Sequence, residues 1–151
     1  HHTSGGTMRQ SFAYSYDNAG IRTGVVEGSG DRVTWSYDNS YRLTREQRDG
    51  SAAYDITYTL DPLGNRSTMF SGGTTTTYSY NAGDAMTVAN AGGVLTTFSF
   101  DDAGNNTVVN AAGTLTTCKW DAESRLVAVE LTGGNRVTFS YDPEGASAGP
   151  E

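Results

Sequence analysis

The feature that most constrains this chain is a residue pair, an aromatic followed by an acid, that returns about every 20 residues. It stands at Tyr16-Asp17, Tyr37-Asp38, Leu60-Asp61, Tyr80-Asn81, Phe100-Asp101, Trp120-Asp121 and Tyr141-Asp142, at spacings of 21, 23, 20, 20, 20 and 21 residues. Leu60 and Asn81 soften the pair without moving it. Seven occurrences in register mean a repeat architecture, in which each unit buries its apolar face only against its neighbours.

The residues before each pair alternate, and a period of two means strand. Val33-Thr34-Trp35-Ser36-Tyr37 and Val137-Thr138-Phe139-Ser140-Tyr141 show it most plainly. One face takes an aromatic ladder: Tyr14, Tyr16, Trp35, Tyr37, Tyr58, Tyr78, Tyr80, Phe98, Phe100, Trp120, Phe139 and Tyr141, 12 of the 16 aromatics. The other takes hydroxyls, such as Ser15, Thr34, Ser36, Thr57, Thr77, Thr97 and Thr138. Leu, Ile, Val and Phe number only 24 in 151 residues, under the roughly 20 percent at which disorder threatens. Each buried aromatic removes about 150–250 Å² from water, so the expected core is aromatic.

Two kinds of turn separate the strands. One follows the acid, as in Asn18-Ala19-Gly20, Pro62-Leu63-Gly64 and Asp102-Ala103-Gly104; the other closes the repeat, as in Gly72-Gly73, Gly92-Gly93 and Ala112-Gly113. Asp, Pro and Gly are turn formers for separate reasons, and the glycine pairs read as hairpin turns. Each unit is therefore one β-hairpin. The fold class is all-β: an antiparallel hairpin strip of roughly 12–14 strands, about 60 Å long at about 4.8 Å per strand, that curls into a spiral or partial shell. Residues 8–145 form a single domain of six to seven repeats. Residues 1–7, beginning His1-His2, read as a tag and linker, and 146–151 as a tail.

At this point the chain resembles the Rhs/YD-repeat proteins, whose repeat is similar to Tyr-x-Tyr-Asp-x-x-Gly-Arg-Leu-Thr. Tyr37-Asp38-Asn39-Ser40-Tyr41-Arg42-Leu43-Thr44 matches it except at Tyr41, and Trp120-Asp121 to Arg125-Leu126 keeps the Arg-Leu. Tyr14-Ser15-Tyr16-Asp17-Asn18-Ala19-Gly20 keeps its first half, and Leu60-Asp61-Pro62-Leu63-Gly64 has an Asp-Pro-x-Gly form. The resemblance covers about residues 12–145. It implies a section of a hollow β-shell in a larger secreted or cell-surface protein, of the kind that in toxins encloses another polypeptide.

Chemistry finds little material here. The 17 acids outnumber 10 bases for a net charge of −7, which excludes a basic nucleic-acid footprint. No apolar run approaches the roughly 20 residues of a membrane span. Both histidines, His1 and His2, lie in the tag-like segment, so a Ser-His-Asp triad lacks its base. Cys118 is in phase with Trp120 and reads as an inert apolar group. Family shells can end in a self-cleaving core similar to Asp-Pro-x-Gly-Leu, but Asn65 and Ala146 stand where Leu is needed after Asp61 and Asp142. The acids Asp17, Asp38, Asp61, Asn81, Asp101, Asp121 and Asp142 read as caps for turn backbone. Adjacent copies two strands apart are about 10 Å distant, too far to share a calcium ion.

The expected role is thus a non-catalytic structural segment of an Rhs/YD shell, with no metal and no cofactor. Its expected partners are neighbouring repeats or an enclosed polypeptide, with self-association through open edge strands. The alternative is an extracellular module that binds a neutral glycan through aromatics out of phase with the ladder, namely Tyr41, Tyr54 and Phe70.

Overall fold

The computed structural model describes residues 3–4, 7–8, 11–50, 52–141 and 147–150. No helix occurs among them. The strands fall into two compact units, His1–Thr76 and Thr77–Glu151. In the first, β1 (Thr3–Ser4) pairs with β2 (Thr7–Met8). Then come β3 (Phe12–Tyr16), β4 (Arg22–Glu27), β5 (Arg32–Tyr37), β6 (Leu43–Arg48), β7 (Tyr54–Leu60) and β8 (Arg66–Ser71), each antiparallel to the next. Strand β9 (Thr74–Tyr80) runs across the division. The second unit holds β10 (Met86–Ala91), β11 (Val94–Phe100), β12 (Asn106–Ala111), β13 (Thr114–Trp120), β14 (Leu126–Leu131), β15 (Arg136–Tyr141) and β16 (Ser147–Pro150), again paired in chain order. This is the all-β hairpin-repeat architecture that the period predicts. Of the expected turn acids, Asp142 lies outside the described residues, as do His1, His2 and the turn 143–146.

Two turn geometries build the hairpins. After the acid of each of the six described turns the chain makes a three-residue loop that ends in a left-handed residue, a form that leaves a bulge in the ladder. The register skips one residue at Thr23, Thr44, Ser67, Thr107 and Val127. The closing turns at Gly72-Gly73, Gly92-Gly93 and Ala112-Gly113 have positive φ at both central residues, which matches the right-handed twist of the flanking strands.

Each unit is a single layer of sheet, and that decides the burial. The buried side chains among the described residues are Val25, Val33, Ala128 and Thr76. The ladder rings from Trp35 onward are half-buried, while Tyr14 and Tyr16 on β3 are exposed. Neighbours in one layer cover a short β-branched side chain on all sides, but they cover only the flanks of a ring that stands off the sheet. The expected enclosed aromatic core is therefore a half-covered ladder.

The register also corrects one phase. Tyr14, Val25, Val33, Arg48 and Tyr54 stand in one row, with Trp35, Glu46 and Ile56 in the next on the same face. Tyr54, expected out of phase, belongs to the ladder face. Phe70 lies on the other face, in a row with Ser36, Arg45 and Thr57.

Candidate functional site

What the fold repeats with most fidelity is the acid turn. In six copies the backbone N–H of the acid donates to the carbonyl four residues on, and the N–H three residues on donates back to the acid's own carbonyl. The copies are Asp17–Ile21, Asp38–Arg42, Asp61–Asn65, Asn81–Ala85, Asp101–Asn105 and Asp121–Arg125, with N···O distances of 2.8–3.1 Å. The side chain then finishes the loop. Asp38 Oδ1 accepts from the N–H groups of Ser40 at 2.8 Å and Arg42 at 2.9 Å. Asp17, Asp101 and Asp121 accept from the same two positions, and so does the amide oxygen of Asn81. A short side chain with an acceptor oxygen is what these otherwise unpaired N–H groups require.

The second oxygen explains a residue that the strand pattern did not single out. Four residues after the acid, Arg42 Nε donates to Asp38 Oδ2 at 2.7 Å and Arg125 Nε to Asp121 Oδ2 at 2.8 Å. Asn65 and Asn105 do the same through Nδ2, to Asp61 at 3.2 Å and Asp101 at 3.1 Å. Where the acid is Asn81, this position holds Ala85, and no second oxygen needs a donor. The Arg of the Arg-Leu-Thr segment was the sequence signal for this contact. The backbone N–H of Arg42 and then its guanidinium hold the Asp38 carboxyl below the usual range. The Asn105 side chain and backbone do so for Asp101. For Asp121 the Arg125 backbone N–H leads, with burial opposing and the guanidinium assisting.

A third contact joins one repeat to the next. Tyr37 Oη donates to the Arg22 carbonyl at 2.8 Å, Tyr141 Oη to that of Leu126 at 2.8 Å, and Trp120 Nε1 to that of Asn106 at 2.7 Å. Each acceptor is the fifth residue after the preceding acid. The polar tip of the aromatic is thus a latch onto the preceding repeat. The extra residue of the bulge contributes as well: the Thr44 hydroxyl donates to the Ser36 carbonyl at 3.2 Å, and Thr87, also six residues after its turn acid position, donates to the Ser79 carbonyl at 3.2 Å. Across five seams the residue seven after one acid pairs with the residue four before the next: Gly24 with Thr34, Arg45 with Thr57, Val88 with Thr97, Val108 with Thr117, and Ala128 with Thr138.

The ladder face of the first unit also carries a charge network. Arg48 spans Glu27 with two contacts of 2.7 Å and reaches Asp31 at 2.9 Å. Beside it Glu46 accepts from Trp35 Nε1 at 2.9 Å and from Tyr54 Oη. Hydrogen bonding to Arg48 lowers the pKa of Glu27, and the bond to Glu46 pushes the Tyr54 hydroxyl up to about 12. On the opposite face Arg45 holds Asp55. The arginines of this stretch are accordingly ion-paired.

The three residues expected for a glycan are not brought together. Tyr41 is 59% exposed and sits in an acid turn. Tyr54 is tied to Glu46 on the ladder face, and Phe70 is on the other. Cys118 is half-buried opposite Val129. Among the described residues no cluster of three His, Cys, Asp or Glu could hold a metal ion, and no helix is long and apolar enough to cross a membrane.

Latched hairpins in single file define a repeat strip, and solved structures with this fold include TcdB2–TccC3 chains and a chain of a Tc holotoxin pore. A TcdB2–TccC3 chain without its hypervariable C-terminal region matches with a TM-score of 0.70 at 13% identity, over 87% of this chain and 8% of that one. A TcdB2–TccC3–Cdc42 chain matches with 0.68 at 14%, over 87% and 8%. A chain of the Photorhabdus luminescens Tc holotoxin pore, carrying a TccC3 substitution, matches with 0.60 at 14%, over 91% and 11%. The fold is that of an Rhs/YD-type hairpin-repeat segment, as the sequence resemblance implies. The chain spans about a tenth of the length of these neighbours. No protein-family signature and no curated protein matches the sequence.

Proposed function

We propose that this chain is a non-catalytic wall segment of an Rhs/YD-type shell, which encloses or displays another polypeptide in a secreted toxin or surface protein. The observation that carries the reading is the use made of the repeated polar groups. Asp38, Asp101 and Asp121 spend one oxygen on turn N–H groups and the other on the side chain four positions later. Three of the paired aromatics spend their donors on the preceding repeat. These groups hold a wall together and leave no convergent set for a substrate. The fold shared with the TcdB2–TccC3 chains supports the same reading.

The wall is tested by deletion of one repeat, residues 81–100. A strip loses one hairpin's share of its β-sheet circular dichroism and still unfolds cooperatively, because each repeat contacts only its neighbours. Global loss of structure overturns the reading. Enclosure is tested in a chimera in which this chain replaces the matching segment of a TcdB2–TccC3 chain. A wall segment keeps the polypeptide inside protected from added protease; a leaky chimera argues against it.

A further inference from the structure

We propose that a notch on the hydroxyl face of the first unit binds a carboxylate carried on a short side chain, as by a glutamate of a polypeptide laid across that face. The notch comes from one missing side chain. At four seams the residue that is seven after a turn acid, and pairs with a threonine of the next repeat, is Arg45, Val88, Val108 or Ala128. At the first seam it is Gly24, opposite Thr34. Ser15 flanks Gly24 on β3, and Val26 and Arg32 pair in the neighbouring row of the same face. Gly24 is buried, and it lines a cavity of about 210 Å³ together with Ser15, Val26, Arg32 and Thr34. A Cβ added at Gly24 would stand 3.1 Å from the Val33 carbonyl oxygen and 3.8 Å from Thr34 Cγ2, so any side chain there takes space from the notch.

The occupant follows from a charge left over. Among the described residues Arg42, Arg45, Arg48, Arg125 and Arg136 pair with carboxylates, and Arg22 and Arg66 lie over the rings of Tyr14 and Tyr58. Arg32 has neither an acid nor a ring among them, and it is exposed. Asp49 meets it through the backbone, with the Asp49 N–H donating to the Arg32 carbonyl at 2.9 Å, while the Asp49 carboxylate accepts from Gln47 Nε2 at 3.3 Å. A guanidinium holds a planar carboxylate through two parallel bonds, which a neutral acceptor cannot match. The Ser15 and Thr34 hydroxyls supply donors for its remaining lone pairs, and Val26 supplies an aliphatic wall for the stem. A cavity of about 150 Å³ holds a benzene-sized body, so this one takes a short acidic side chain whole. The net charge of −7 disfavours a polyanion and selects a single carboxylate flanked by neutral residues.

The site goes beyond the wall reading, and its failure leaves the repeat deletion and the chimera untouched. The full chain, labelled with nitrogen-15, is titrated with acetyl-glutamate amide, acetyl-glutamine amide and acetate, and the amide chemical shifts are followed. The glutamate probe is expected to give saturable shifts centred on Ser15, Gly24, Arg32 and Thr34. The glutamine probe keeps the shape without the charge and binds about tenfold more weakly or worse, the worth of a charged hydrogen bond. Acetate keeps the charge without the stem and is weaker than the glutamate probe as well. Arg32→Gln weakens the glutamate probe by the same factor as loss of its charge, and Arg136→Gln, in the second unit, leaves it unchanged. Gly24→Val fills the notch and abolishes binding; Val88 and Val108 hold the same seam position, so the strip has room for it. Circular dichroism on each variant separates lost binding from lost folding, and Arg32→Gln, on an exposed side chain, decides the matter even where Gly24→Val loses structure. Absence of saturable shifts overturns the proposal, and so does equal binding of the glutamine probe or of acetate, or undiminished binding by Arg32→Gln or by a folded Gly24→Val.

Discussion

The residue that ends each of the six described acid turns is held left-handed whatever its identity. Gly20, Gly64 and Gly104 adopt φ of 80°, 98° and 85° at no steric cost, but Tyr41, Asp84 and Ser124 are held at 60°, 58° and 59°. A Cβ disfavours that region by about 1–2 kcal/mol, partly offset by the greater chain entropy of glycine. Tyr41→Gly and Ser124→Gly are each expected to stabilise the protein by about 0.5–1 kcal/mol, seen as a higher urea midpoint with unchanged slope. The latch has a similar worth. Tyr37→Phe removes a donor to the Arg22 carbonyl and should destabilise by about 1 kcal/mol. The converse is more telling. Phe100 holds the latch position without a donor, and the carbonyl it would reach is that of Met86, five residues after Asn81. Phe100→Tyr should gain stability of the same order, and an unchanged or lower urea midpoint would refute the latch as a general device.

An element here is a hairpin, and its turn acids make hairpin stability depend on pH. The carboxyls of Asp38, Asp101 and Asp121 are lowered in the fold by hydrogen bonds that need the ionised form. A lowered native pKa contributes stability that is full above the unfolded value of about 3.9 and is lost as pH falls through the native one. Stability should therefore be flat above about pH 5 and decline steadily below pH 4. The pair Asn81 and Ala85 shows how a repeat avoids this. The double substitution Asp101→Asn with Asn105→Ala copies it, and equilibrium denaturation from pH 5 to pH 2.5 should show a shallower decline than in the parent. A second prediction concerns the hairpins bridged by Arg48. Its partners Glu27 and Asp31 are mostly covered, whereas Arg45 and Asp55 are about half exposed. Arg48→Ala leaves two covered carboxylates without their cation and should lower the thermal midpoint more than Arg45→Ala, since exposed pairs contribute little.

At the scale of the molecule, each unit is a chain of nearest-neighbour seams rather than a body with one centre. Its buried side chains are few and scattered, so no single substitution removes a common core. Trp35→Ala and Trp120→Ala provide the test. Each ring is half-buried and tied at Nε1, Trp35 to Glu46 and Trp120 to the Asn106 carbonyl. Each substitution should loosen its own seam and leave distant hairpins protected in amide hydrogen exchange. Loss of protection throughout the chain would show a shared core instead.

The period, the strand phases and both turn families were legible in the sequence because each is set within a few residues. Asp followed three residues later by Gly specifies its loop without help from the rest of the chain. The Thr and aromatic alternation specifies which side chains share a face. Other features required the sheet to be paired. The bulge residue after a turn shifts the phase of the following strand, whereas Tyr54 needed no pairing: it stands four residues before Tyr58 on β7, and counting by twos already places it on the ladder face. The partner of the Tyr37 hydroxyl is a backbone carbonyl 15 residues away, and a carbonyl leaves no mark in a sequence. Burial is the clearest case. Alternation tells which residues look the same way, but not whether anything covers them. Coverage belongs to the layer opposite and to the strand alongside, so the half-covered ladder was decided by tertiary structure alone.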